Sequence, residues 1–269
     1  MPELPEMENY KLLLNQRLVG HLITDVQVER EKSINVPVSQ FRNEVIGTSI
    51  QRVERRAKHL LFHLSNARIL LLHLMLGGIM FYGSKEDKPD RTVQVTMSFH
   101  DMNLFFIGLR LGYLHLYSPD EADRFLQKLG PEPTDRSFTA ERFASLLHKQ
   151  SRTLKATLPD QAVMAGIGNC YSDEICFEAG LLPSRKCDRL SVEESARLYD
   201  SMQHVLSEAT RYGGYMDMPL YAGDELTGGY DSRCKVYDRE GEPCVRCGHP
   251  IERRDVSSKK SFCCTHCQH

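Results

Sequence analysis

A chain of 269 residues is long enough to bury a core and to divide into two or three compact units. Hydrophobic residues at 41% and charged residues at 26% sit near ordinary globular usage, which excludes a disordered chain, and the longest apolar run, Arg68 to His73, is far too short to cross a bilayer. A net charge of −2 means that any nucleic-acid contact has to come from local clusters of basic residues rather than from bulk charge. The start, Met1-Pro2-Glu3-Leu4-Pro5-Glu6, carries acids where a secretory signal needs a basic and then an apolar segment, so a cytoplasmic protein without membrane contact is expected.

In chain order, Tyr10, Leu13, Leu14 and Leu18 share one helical face, which predicts a short leading helix with Pro2 and Glu3 just ahead of it. From about residue 20 to 118 the period drops to two. Val93, Val95, Met97 and Phe99 alternate with polar partners, and apolar runs recur at 60–64, 69–74 and 104–107, so this region reads as strands of a sandwich or barrel. After Tyr117 the pattern turns helical: a helix over 122–129 stopped by Gly130-Pro131, another marked by Phe143, Leu146 and Leu147, and a long one opened by a Ser191/Glu194 capping box and closed by Tyr212-Gly213-Gly214. The coarse plan is a β-rich domain, a helical domain and a small C-terminal module.

That module holds two C-x-x-C pairs, Cys244/Cys247 and Cys264/Cys267, sixteen residues apart. Each turn lets two thiolates converge on one ion, and the two together complete a tetrahedral shell, so one zinc is expected. A closed four-thiolate shell leaves no position for substrate, which makes the metal structural. The other five cysteines, Cys170, Cys176, Cys187, Cys234 and Cys263, read as ordinary small residues. Two basic clusters stand out against the neutral average. Arg52, Arg55, Arg56 and Lys58 face one acid, Glu54, and residues 233–260 hold eight basic side chains against five acidic ones, either of which could follow a phosphate backbone. Arg253, Arg254, Lys259 and Lys260 fall in a hairpin that the metal would hold rigid. Alone, this module fits a transcription factor, a ribosomal protein or a repair enzyme equally well.

Removal of Met1 would leave Pro2 as a secondary amine. An α-amino group titrates near 7.7 to 8.0, so a usable fraction is neutral at physiological pH and can attack a sugar C1′. Met-Pro-Glu-Leu-Pro-Glu at 1–6 resembles the start of the formamidopyrimidine-DNA glycosylase and endonuclease VIII family. The resemblance continues in order through residues 55–58, 129–133, Asp160-Gln161, 165–171, Asp173-Glu174, 236–241 and the cysteine module ending at Gln268.

The resemblance implies an α+β multidomain protein: an N-terminal β-sandwich with its leading helix over 1–118, a linker over 119–135, a helix-two-turn-helix domain with a lesion-side loop over 136–230, and a four-cysteine zinc finger with a β-hairpin over 231–269. It also implies a bifunctional glycosylase and abasic-site lyase that grips damaged double-stranded DNA and works as a monomer. Pro2 matches the Schiff-base nucleophile, Glu3 the catalytic acid, Glu6 a supporting carboxylate and Lys58 a lysine that contacts DNA and assists catalysis. Lys155 matches a phosphate-binding lysine, Arg110 keeps a phosphate-contacting position, and Asn169 sits in a turn before a helix whose N-terminus favours a phosphate. Glu174 fits equally a tie between helices or a DNA contact.

The chain departs from the family in three places: the fillers, the finger and the loop. Where its formamidopyrimidine branch fills the space left by a flipped base with a methionine, an arginine and a phenylalanine, this chain has Leu76, Leu109 and Leu111, with Met75 adjacent as a substitute. Without the arginine, selectivity for the base opposite the lesion is expected to weaken. In the finger, Lys259 replaces an arginine and loses its bidentate fork. Residues 215–235 match the length of the family's lesion-capping loop but differ in composition and assign no lesion class; the missing purine-side fillers lean the expectation towards a broad or endonuclease-VIII-like preference. The alternative reading is a damaged-DNA-binding protein of the same fold without turnover. A zinc-ribbon adaptor would explain only the last 35 or so residues.

Overall fold

The computed structural model describes residues 1–269. The chain divides into two compact units: residues 1–128 with 212–229, and residues 129–211 with 230–269. None of its helices is long and apolar enough to cross a membrane.

The first unit opens with α1 (Leu4–Leu18), then β1 (Asp25–Val28), α2 (Val38–Val45), β2 (Ile50–Arg56), β3 (His59–Leu64), β4 (Ile69–His73), β5 (Ile79–Gly83), β6 (Val93–Phe99), β7 (Met102–Ile107), β8 (Tyr113–Tyr117) and α3 (Pro119–Leu126). The strands make two antiparallel four-stranded sheets, β1-β6-β7-β5 and β2-β3-β4-β8. Their period-two patterns turn one face of each sheet inward, so Phe62 from one and Phe106 from the other meet edge to face at 6.4 Å. Met7, Tyr10, Leu13, Leu14 and Leu18 of α1 join the same core, all of them buried. Three features of this region differ from the sequence reading. Helix α2 interrupts the strands, because Pro37 opens a turn that buries Phe41 and Val45. Helix α3 starts earlier than expected, since Ser118 and Glu121 form a capping box with Pro119 in the first turn. Residues 212–229, expected with the helical domain, pack instead with the N-terminal strands, with Leu220 fully buried in their core.

The second unit carries α4 (Ala140–His148), α5 (Leu154–Thr157), α6 (Asn169–Glu178), α7 (Val192–Arg211), β9 (Glu252–Val256) and β10 (Lys259–Cys263). The expected capping box opens α7, with Ser191 N donating to Glu194 and Glu194 N donating to Ser191 Oγ. Strands β9 and β10 form the expected hairpin. Helix α6 is buried through most of its length, including its two adjacent acids. Glu174 accepts from the backbone N–H groups of Lys235, Val236 and Tyr237 at 2.8 to 2.9 Å, so it ties segment 235–237 to α6 and does not face outward. Asp173 does the same for the hairpin, accepting from Ser261 Oγ at 2.7 Å and Phe262 N at 3.0 Å.

Glu174→Ala would leave three amide donors without their acceptor, at about 1 to 3 kcal/mol for each that stays buried. Urea unfolding is expected to register a loss of at least ~3 kcal/mol. A change within experimental error would show that water replaces the carboxylate without cost.

Candidate functional site

The N-terminus is built by a carboxylate that faces backwards. Glu6, in the first turn of α1, accepts from the backbone N of Glu3 at 2.7 Å, which fixes the residue next to Pro2 as the cap of the helix. Its other oxygen accepts from Tyr215 N at 2.8 Å. A Cβ on Gly214 (φ +80°) would lie 2.2 Å from that same oxygen, so only glycine lets the 212–229 segment approach. Pro2, Glu3 and Glu6 are all buried.

Lys58 lies in the two-residue turn between β2 and β3, next to Ala57 with φ +54°. Arg55, at the base of that turn, is ion-paired at 2.8 Å with Glu8 of α1, which links the hairpin to the helix bearing Glu3 and Glu6. Lys58 is 4% exposed and sits by a pair of imidazoles. His59 and His73 face each other across β3 and β4 with ring centroids 4.3 Å apart. Burial, and then the charge of Lys58, push His73 down to about 4. Burial, and then His73, push His59 down to about 3. Both rings are therefore neutral at physiological pH.

The three leucines do not form a trio. Leu76, between β4 and β5, is 65% exposed and Leu111, between β7 and β8, is 59% exposed, whereas Leu109 is fully buried in the sandwich core. This corrects the expectation for Leu109. Its amide donates to Gln94 Oε1 at 2.9 Å and its carbonyl accepts from Arg30, so it anchors the turn from which Leu111 projects. The two loops are locked together by glycine: a Cβ on Gly108 (φ +72°) would lie 2.1 Å from Gly77 O, and one on Gly112 2.4 Å from His73 O. Met75 is half-buried with φ +50°. Beside Leu76 opens a cleft of about 400 Å³ lined by Gly77, Arg91, Thr92, Gln94, Gly108 and Arg110. The sequence reading anticipated Arg110 but missed Arg91, a single basic residue in a polar stretch with no periodic signal.

In the second unit, Asn169 is exposed at the first position of α6, after the 159–168 turn that Gln161 staples through Gly166 N, Ile167 O and Pro159 O. Lys155, expected to meet phosphate, is fully buried: its ammonium pairs with Asp173 at 2.7 Å and donates to Asn169 O at 3.0 Å. A buried cation needs such partners, and breaking the pair from one side costs about 3 to 5 kcal/mol. Lys155 thus supports the turn bearing Asn169 from beneath and has no access to a ligand. Burial pushes the Asp173 carboxyl up to about 6, with Lys155 opposing. Lys259, half-exposed at the start of β10, is held below the usual lysine range by burial and then by Lys155 and Arg152, with Asp160 opposing.

The four paired cysteines converge as their spacing predicts. All four sulfurs lie within 4.8 Å of one another, with Cys244 and Cys267 at 3.9 Å and Cys247 and Cys264 at 3.5 Å. Four bonds of about 2.3 Å in a tetrahedron require sulfurs about 3.8 Å apart, so this cluster fits one metal ion. Cys263, beside it in sequence, is not among the four.

The arrangement is a double-sheet unit headed by a buried Pro-Glu terminus, a helical unit with an exposed turn before α6, and a four-cysteine hairpin. The N-terminal domain model of formamidopyrimidine-DNA glycosylase matches residues 1–113, and the H2TH domain model of the same enzyme matches residues 129–217. A formamidopyrimidine-DNA glycosylase of Listeria monocytogenes serotype 4b is 35% identical over the full length of both chains, and that of Carboxydothermus hydrogenoformans 34%. The Lactococcus lactis Fpg, solved in complex with an abasic site containing DNA, superimposes with a TM-score of 0.92 at 30% identity, covering 99% of each chain. The chain belongs to the formamidopyrimidine-DNA glycosylase and endonuclease VIII family.

The buried histidines make the first unit acid-sensitive. Unfolded imidazoles titrate near 6.5, so below that pH the unfolded chain takes up protons that the folded one refuses. Stability is complete above pH 6.5 and falls with decreasing pH, by up to ~1.4 kcal/mol per pH unit for each histidine until its folded pKa is reached. Urea midpoints at pH 7.5 and 5.0 are expected to move less for His59→Gln/His73→Gln than for the wild type. Equal shifts would assign the acid sensitivity to other groups.

Proposed function

We propose that this chain is a bifunctional DNA glycosylase and abasic-site lyase that removes oxidised bases from duplex DNA, with the Pro2 amine as nucleophile. The observation that carries the reading is the grip of Glu6 on Glu3 N, which makes the first residues a rigid continuation of α1 rather than a loose tail. The complexes of the Lactococcus relative with DNA containing an abasic site or Fapy-dG support damaged DNA as the partner. A monomer acting in the cytoplasm suffices for such a substrate.

Once Met1 is removed, the neutral amine attacks C1′ and the glycosidic bond breaks, its electron pair leaving with the base, which takes up a proton. Glu3 protonates the ring oxygen as the sugar opens, and the resulting iminium acidifies C2′. Loss of a C2′ proton then expels the 3′ phosphate by β-elimination, and a second elimination can follow at the 5′ side. Glu6 holds Glu3 in position. Lys58, Arg110, Asn169 and Lys259 contact phosphates, and Lys155 acts only by supporting the turn that bears Asn169. Leu76 and Leu111, exposed on loops that their glycines lock together, fill the gap left by the extruded base. Leu109 holds their turn in the core.

Cys244, Cys247, Cys264 and Cys267 would hold one zinc ion, which supplies rigidity to the β9–β10 hairpin and no chemistry. Chelation is expected to release one zinc per chain and to weaken DNA binding. Unchanged binding after complete metal loss would make the hairpin independent of it.

Borohydride trapping on an abasic-site duplex tests the nucleophile. Wild-type protein lacking Met1 is expected to form a covalent adduct, Pro2→Gly to lose at least about a hundredfold in its rate, and Glu3→Gln to be slowed. Wild-type protein that binds the duplex but is never trapped would instead favour a damaged-DNA-binding protein without turnover.

A further inference from the structure

Segment 212–229 is fastened to the N-terminal unit by a buried polar network. Asp224, 8% exposed, accepts from Leu220 N at 2.8 Å, Thr227 Oγ1 at 2.6 Å, Thr227 N at 3.2 Å and Leu226 N at 3.3 Å. The Thr227 hydroxyl, spending its proton on Asp224, accepts in turn from Asn9 Nδ2 of α1 at 2.8 Å. Asn9 is 1% exposed and Thr227 6%. Further attachments flank the network. Tyr10 OH donates to Met218 O at 2.8 Å, Tyr82 N of β5 donates to Leu220 O at 2.6 Å, and the Arg17 guanidinium lies 3.5 Å over the Tyr221 ring. The Tyr10 hydroxyl is pushed up by burial and then by the charges of Glu6 and Asp224, so it lies in the field of both carboxylates.

Two anchors therefore bracket a short exposed stretch. Tyr215 is held by Glu6 and Leu220 by the core and Asp224, while Asp217 and Met218 between them face solvent. Eighteen residues without a helix or strand would ordinarily be the mobile part of a domain. Here their buried polar groups are satisfied before any ligand arrives, and the segment starts against the carboxylate that holds Glu3.

We infer that the Asn9–Thr227–Asp224 network is a positioning device that preforms segment 215–229 as a fixed wall for the extruded base, so that it governs base excision and not strand cleavage at a site that has already lost its base. This rests on the glycosylase and lyase reading above. Asn9 and Thr227 are positioning residues: they reach the base only through the backbone they hold. Preformation also bears on the range of bases accepted. A wall already in place contributes orientation without an ordering cost at binding, and soft thioethers such as Met216 and Met218 suit more than one flat ring.

The test separates the two steps in the full-length protein. Single-turnover rates at saturating enzyme are measured on duplexes carrying 8-oxoguanine or dihydrouracil, and on the same duplex with a preformed abasic site. Thr227→Val and Asn9→Leu are expected to slow base excision about tenfold while abasic-site cleavage changes by less than about twofold, because only the placement of the base is loosened. Thr227→Ser, which keeps the hydroxyl, is expected to restore excision, and amide exchange over 215–229 to be faster in Thr227→Val than in the wild type. If both steps slow together, or excision is unchanged while exchange quickens, the inference is overturned and the network only supports the fold. Wild-type protein that processes neither substrate would remove the parent reading as well.

Discussion

One buried carboxylate carries more of the first unit than its size suggests. Glu6 accepts from Glu3 N on one side and from Tyr215 N on the other, at 2.7 and 2.8 Å. The first contact turns the N-terminus into a helix cap, so the residue beside Pro2 has no freedom to fray. The second brings in a segment more than 200 residues away, and glycine at 214 is what lets it come close. A carboxylate buried to 1% exposure is stable only where donors surround it, so the same demand that shelters Glu6 fixes both neighbours.

Leu109 shows how a substitution can change role without changing the frame. The family's formamidopyrimidine branch has an arginine where this chain has a leucine, and a leucine cannot reach out to a partner base. It turns inward, and Gln94 and Arg30 then secure its backbone. The glycine contact between Gly108 and Gly77 remains, so the two loops still present exposed side chains together, now Leu76 and Leu111. Both are apolar, so a wedge made of them would fill space but would have no hydrogen bond with which to question an opposite base. Arg91 and Arg110 line the cleft beside Leu76, which leaves positive charge next to this leucine rather than on it.

What the sequence made legible were features that announce themselves by spacing. The four cysteines, the α1 face of Tyr10, Leu13, Leu14 and Leu18, and the Ser191/Glu194 box depend only on neighbours a few residues away, and each is found as read. Burial of charge was not legible, because it depends on contacts made across the fold. Lys155, matched by resemblance to a phosphate-binding lysine, is fully enclosed by Asp173, Ser172 and the Asn169 carbonyl. Glu174 left two readings open, and three converging backbone amides decide for the structural one. Leu109 and Leu111, two residues apart in one turn, look alike as letters and have opposite fates. Helix α2 escaped notice because two buried residues, Phe41 and Val45, are too few to declare a period.

The buried acids also divide labour within each unit. In the second, Asp173 and Glu174 are consecutive on α6, yet one takes the hairpin strand at 261–262 and the other the segment at 235–237, so the metal module is fastened to the helix that opens at Asn169. The four cysteines would stiffen the hairpin once they hold a metal, but the carboxylates decide where it is held relative to that helix. In the first unit, Glu6 and Asp224 hold the two ends of a segment whose exposed residues lie between them. In both cases buried acids place the residues that a ligand could reach, Asn169 and Lys259 in the second unit and Met218 in the first. Their negative charge is spent on backbone amides, hydroxyls and a buried ammonium, which lets a chain of net charge −2 present exposed basic and apolar groups to a polyanion.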